Sequence, residues 1–178
     1  MATERLVPKG SKNYRIKLIG SSGATFSVVM GADDFTDNRE KPPPVEHQIR
    51  GEFSSITQGA RPARTGSFTT DFYTENNGLA TAFLDVIQGN GSWSSESTGT
   101  SGTGQPGDPY IPGPSGVAGG FHVLDMEVTV LGSDVDGGNM VRTYSKVYFE
   151  PKETASLEAT KIAIAWKCWG TVTGTGPS

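Results

Sequence analysis

The chain is poor in the groups on which most enzymes and most nucleic-acid binders are built. It has one cysteine, Cys168, so no internal disulfide can staple the fold and no thiolate metal cluster can form within it. Its two histidines, His47 and His122, stand at no metal-ligand spacing with Cys168 or with a pair of carboxylates. Lysine and arginine form no basic run, and the formal net charge is −4 at pH 7, so the electrostatic footprint of a protein that grips nucleic acid is missing. No apolar run approaches the roughly eighteen residues of a membrane span. The opening "MATERLVPKGSKNYR" lacks the apolar core of a secretory leader, and the chain is expected to be made and kept in the cytoplasm.

Charged residues make up only 19% and hydrophobic ones 34%, against 24 glycines and 11 prolines. That balance favours a β-rich, loop-rich protein over a helical one. A length of 178 residues suits a single domain over 1–178, large enough to bury about 70% of the surface its unfolded chain exposes.

Alternation of polar and apolar residues then places the elements. "NYRIKLI" (13–19) and "ATFSVVM" (24–30), separated by "SSG", read as a hairpin. Residues 31–66 lose periodicity, with "KPPP" and "ARPARTG" as breakers, and only "VEHQIRGEF" inside them reads as a strand. "GSFTTDFY" (66–73) is a further strand. In "NNGLATAFLDVIQG", Leu79, Phe83, Val86 and Ile87 make one helical stripe that Gly89 terminates. Three long alternating runs, 121–131, 141–150 and 157–169, predict an antiparallel meander. Leu124, Met126, Val128 and Val130 share its buried face with Ile162, Ile164, Trp166 and Cys168. Asp125, Glu127, Lys161 and Lys167 point the other way, and the faces taken by Arg142 and Lys146 are left open.

No motif adds up to a reaction. "GTGQPG" (102–107) spells a phosphate loop, but Pro106 and Pro109 forbid the helix that such a loop must open. "DVDGGN" (134–139) has part of a calcium-loop spacing, yet the position of its bidentate Glu holds Ser145. It reads as a hairpin turn. The acidic group Asp33, Asp34, Asp37 and Glu40 reads as a solvated loop, His122 as a core position, and Cys168 as a small buried hydrophobe. No G-x-S-x-G elbow is present. No enzyme, no metal and no cofactor are expected.

What the sequence does hold is two long irregular segments. Residues 31–66 contain Phe35, Val45, Ile49, Phe53 and Ile56, apolar groups available to a neighbour. Of the 32 residues from Gly89 to Gly120, twenty are Gly, Ser or Pro. Such a segment folded back on itself reaches about 50 Å, against a radius of gyration of about 16 Å for a domain of this size. An arm of that reach can lie across a neighbouring subunit, and deletion of Ser95 to Gly119 is expected to leave the β signal in circular dichroism largely intact.

This order of elements resembles the major tail tube protein of long-tailed bacteriophages: two strands, a long extended loop, "GSFTTDFY", the single helix, and a terminal meander ending in "LEATKIAIAWKCWG". The likeness covers most of residues 13–170 as a pattern of elements and lengths. It implies a mainly β fold, an antiparallel β-sandwich or partial barrel with one flanking helix and two long extended loops, and subunits that assemble as six-fold rings stacked into a hollow tube. The loop 31–66 would then bridge subunits, and 89–120 is a departure from the pattern. The resemblance also implies a tape measure protein and tail terminator or tip proteins as partners. It implies DNA that passes without specific binding, no membrane contact, and a place in the virion tail after assembly in the host cytoplasm. Tail tubes present an acidic lumen, which makes Asp71, Asp125 and Glu127 the candidates for the bore, although Arg142, Lys146, Lys161 and Lys167 weigh against them in a simple count. Two other readings of the same residues are a capsid decoration protein and a carbohydrate-binding β-sandwich using Trp93, Tyr110 and Trp169.

Overall fold

A computed structural model describes residues 14–28, 35–40, 42–49, 52–58, 63–71, 77–105, 108–113, 120–131, 139–155 and 160–175. The first expected hairpin is β1 (Tyr14–Ile19) and β2 (Thr25–Val28), paired from Ile19↔Thr25 to Ile16↔Val28. The meander is β7 (Leu124–Val130), β8 (Met140–Ala155) and β9 (Thr160–Cys168). Between them run β3 (Thr36–Asn38), β4 (Pro44–Ile49), β5 (Glu52–Gln58) and β6 (Arg64–Asp71), and β10 (Val172–Thr175) closes the chain. One antiparallel sheet of eight strands results, in the order β2-β1-β7-β8-β9-β6-β3 with β10 on β8. It does not close into a barrel.

Four elements differ from expectation. β3 is a short strand in the stretch 31–66 that was read as aperiodic outside "VEHQIRGEF", and it pairs with β6 from Thr36↔Ser67 to Asn38↔Thr65. The single strand foreseen in "VEHQIRGEF" is two, β4 and β5, paired as a separate two-stranded sheet; Gly51 is the break in the sequence. β8 continues through Pro151, which is opposite Ile164. A proline is tolerated there because the pairing of β7 with β8 ends at Leu124↔Val147, so that stretch of β8 has β9 as its only partner among the described residues. β10 lacked any signal, since "VTGT" offers one apolar residue.

The core lies on one face of the sheet. Ile16, Leu18, Leu124, Met126, Val128, Ile162, Ile164, Trp166 and Cys168 are each at most 2% exposed, as their alternation requires. Helix α1 (Asn77–Gln88) covers that face with Phe83, Val86 and Ile87; the side chain of Leu79 lies outside the described residues. The helix ends where the sequence predicts, at Gly89 with φ +71, a conformation in which a Cβ would also run into the His122 ring. Phe83 joins two distant strands: its ring centroid is 6.0 Å from that of Phe26 on β2 and 6.5 Å from that of Phe68 on β6. An open sheet is thereby sealed by side chains where a barrel would use hydrogen bonds.

Replacing Phe83 by Ala removes the ring that bridges the two ends of the sheet and leaves a cavity under the helix. We expect a loss of about 3–5 kcal/mol in denaturant unfolding; a loss below about 1 kcal/mol would show that α1 does not complete the core.

Candidate functional site

The outward face of the sheet carries Asp125 and Glu127 as the sequence assigned them, and both are engaged; Lys167 is exposed there. Glu127 is directly opposite Lys17 of β1, and the two pair at 2.7 Å with both side chains partly exposed. Asp125 accepts a hydrogen bond from the Lys146 amide at 3.0 Å. Asp71 stands opposite Lys161 in the β6–β9 register, while the side chains of both lie outside the described residues. Around the charges the face is rich in hydroxyls: Thr143 and Thr173 extend the row through Glu127, and Thr65, Ser67 and Thr69 lie along β6.

Arg142 and Lys146 do not belong to that face. Arg142 reaches Asp37 at 3.4 Å beside the core. Asp37 is a node: Tyr144 donates to its Oδ2 at 2.9 Å, and Arg64 Nε lies 3.0 Å from its Oδ1 as a charge contact without hydrogen-bond alignment. Burial first, and the bond to Asp37 second, push the Tyr144 phenol up to about 12, so it stays a donor. Two arginines share one carboxylate here, which fixes the short edge strand β3 across the core.

Lys146 sits in a β-bulge. Leu124 is opposite Val147 and Met126 opposite Tyr144, so Asp125 faces both Ser145 and Lys146, and Lys146 takes φ 55. Its ammonium is turned inward, its side chain 7% exposed, onto Asp108 Oδ1 and the Pro109 carbonyl at 2.8 Å. Asp108 also accepts from the Thr103 amide and hydroxyl at 3.0 and 2.9 Å, and Lys146 with Thr103 holds its carboxyl down at about 2. Gly102 passes so close to Pro109 and to the Lys146 ammonium that no side chain fits there. Beside this latch lies a polar cleft of about 640 Å³ whose lining includes Ser21, Thr98, Asp108, Asp125, Ser145 and Lys146.

The described part of the Gly/Ser/Pro segment is fastened to its own chain at several points. Its short 3₁₀ turns, Gly91–Trp93 and Thr98–Ser101, lead Glu96, Ser97, Thr98 and Gly99 into buried positions, and Ile111 is 6% exposed. Glu96 accepts from the Ser22 amide at 2.9 Å and its hydroxyl at 2.6 Å, which lowers the Glu96 pKa. Thr98 donates its amide to the Val123 carbonyl at 2.9 Å. Removing Ser95 to Gly119 would strip partners from Ser22, Val123 and Lys146, so its deletion is not neutral for the sheet.

Of the candidate bridging residues, Phe35 packs on its own domain, stacked on Trp166 at 5.6 Å and against Tyr14 and Tyr144 at 5.9 and 6.4 Å. Val45 is 42% exposed on the β4–β5 hairpin, whereas the side chains of Ile49, Phe53 and Ile56 lie outside the described residues. Asp33, Asp34 and most of the "DVDGGN" turn also lie outside them. His47 bonds Thr57 across the hairpin at 2.7 Å. Trp93 packs against the core, Trp169 against Tyr148 and Phe121, and Tyr110 stands apart at 57% exposure, so the three do not form one aromatic platform. Among the described residues no group of three His, Cys, Asp or Glu could hold a metal, and no helix is long and apolar enough to cross a membrane.

The sequence reading gave no role to Lys17 or Asp108, took Asp37 for part of a solvated loop and left the face of Lys146 open. Lys17 could have been found from its alternation with Ile16 and Leu18. Lys146 was detectable as a slip of phase, since the buried residues Tyr144, Val147 and Phe149 are spaced by three and then two. Asp37, its side chain 12% exposed, is no solvated residue, and like Asp108 it takes partners that are remote in sequence.

No known family model and no curated protein matches the chain. Solved structures do. A chain of the sheath–tube complex of the PVC extracellular contractile injection system, in its extended state, superposes with a TM-score of 0.55, at 9% identity, covering 99% of this chain and 95% of that one. The tube-terminating cap of the anti-feeding prophage gives 0.54 at 11% identity over 99% and 95%. The SPP1 tail tube gives 0.52 at 9% identity over 93% and 78%. At such identities the likeness is one of fold, and the chain has the tail-tube-like fold. Its neighbours are tube and tube-terminating components.

Cys168 is 2% exposed, and burial pushes its thiol up to about 11. The native protein should therefore resist iodoacetamide at pH 8 and be labelled only after unfolding. Labelling of the folded chain at the rate of a free thiol would contradict the packing of β9.

Proposed function

We propose that the chain is a structural, non-enzymatic subunit of a phage-type tail tube, assembling with copies of itself into rings that stack around a channel for DNA. The observation that supports this reading is a correspondence of fold that covers 99% of this chain with a chain of the PVC sheath–tube complex and 93% with the SPP1 tail tube. The β4–β5 hairpin, with exposed Val45, supplies the bridging arm, and six-fold rings follow from the family likeness. Tape measure, terminator and tip proteins are the partners, in a virion tail assembled in the host cytoplasm.

The cap-like neighbour favours a second reading, a tube terminator, which would form a single ring and stop. Sedimentation and negative-stain microscopy of the pure protein separate the outcomes. Stacked tubes support the tube subunit, isolated rings the terminator, and a monomer at high concentration across salt and pH contradicts both.

For the channel we assign the outward face bearing Asp71, Asp125 and Glu127 to the bore. The pairing of Glu127 with Lys17 neutralises one cation of that face, on which Arg15 and Lys167 stay exposed, toward a duplex that carries one charge per about 1.7 Å. Reversing Glu127 to Lys sets two cations side by side. Tubes should still form, and DNA passage should slow in an ejection assay, more so at low salt. Unchanged ejection kinetics would mean that the other face lines the bore.

A further inference from the structure

His122 is 6% exposed, and neither of its ring nitrogens has a hydrogen-bond partner of normal geometry among the described residues. Buried polar groups are nearly always satisfied, so a buried ring with two unpartnered nitrogens calls for a reason. The ring lies over Gly89, at the end of α1, in the space that a Cβ there would fill. Helix α1 presents to it the Val86 carbonyl, and its Asp85 is engaged with Asn90 at 3.3 Å. β7 turns Asp125 to the opposite face, onto Lys146. Among the described residues the one side-chain charge acting on the ring is Glu96, itself 8% exposed and committed to Ser22.

We propose that His122 and Glu96 form a proton-sensitive clasp: acid opens the linker Glu96–Gly99 away from the β1–β2 turn and β7 while the eight-stranded sheet stays paired. A charged imidazolium needs hydration or a partner. At 6% exposure the ring gains hydration only by moving outward, and Glu96 can pair with it only by giving up Ser22. Both responses release the same contacts, the bonds of Glu96 to Ser22, of Ser21 to the Glu96 carbonyl, and of Thr98 to the Val123 carbonyl. The clasp does not depend on the tube reading.

The direction follows from burial, which lowers the His122 pKa and outweighs the Val86 carbonyl and Glu96, both of which raise it. The closed form therefore resists protonation while the open form accepts a proton at an ordinary value of about 6.5. The clasp is fully closed above that pH. Below it the opening constant should rise, about fivefold over the first pH unit and toward tenfold per unit thereafter, until the native ring titrates.

Hydrogen exchange of the full chain, normalised to intrinsic rates, tests this at the Ser22 and Thr98 amides. Their protection should fall about fivefold between pH 6.5 and 5.5, a window in which Glu96 remains ionised, while β9 amides keep theirs. His122→Phe should abolish the fall, and His47→Gln, which removes the other histidine, should leave it unchanged. Protection that is flat with pH, or an equal fall in His122→Phe, would overturn the proposal. Should His122→Phe not fold, the wild-type His122 ring resonance decides: titration below pH 6.5 supports the clasp, and titration at or above it refutes it.

Discussion

The structure depends on the packing of one aromatic ring. A sheet of this curvature could hide its apolar face by closing on itself, but the hydrogen-bonded path runs from β2 to β3 without meeting. Phe83 fills the opening, touching Phe26 near one edge and Phe68 near the other. Phe35 does the same at a second point, spanning Tyr14 of β1 and Trp166 of β9. Side chains close the core and leave the backbone edges of the sheet available. β2, β3 and β10 each have one strand partner among the described residues. Exposed edges are a liability for a monomer and a resource for an assembly.

A second constraint explains how a segment so poor in apolar residues keeps its course. The bulge at Ser145–Lys146 turns a lysine inward, and the Gly/Pro-rich linker is fastened to it through Asp108 and Pro109. At its other end the linker is fastened to the β1–β2 turn through Glu96. Charge-assisted bonds and backbone pairing replace hydrophobic burial here, with glycine allowing the close approach at Gly102.

Much of this was legible in the sequence, and the boundary is physical. Strands that pack one face against a core alternate visibly, so β1, β7 and β9 could be read with their buried faces, as could the helix stripe and its glycine stop. Elements without a packed face could not. The β4–β5 hairpin pairs outside the main sheet, and β10 is held by main-chain bonds to β8. The linker looked shapeless because composition reports apolar content, while its order comes from Glu96 and Asp108, single charges whose partners lie 74 and 38 residues away. Asp125 and Glu127 were placed on the outward face from alternation alone. That each is already engaged, with Lys146 and Lys17, required the register.

The chain shares its fold with a chain of the PVC sheath–tube complex, the anti-feeding prophage cap and the SPP1 tail tube at 9–11% identity. The central claim is that the sheet is left open so that copies of the chain can complete it. Hydrogen exchange compared between dispersed subunits and assembled protein tests that most directly. The account predicts that amides of Thr25–Val28 and Val172–Thr175 gain protection on assembly, more than those of the already paired β9. Assembled protein in which both edges exchange as fast as in the free subunit would contradict it.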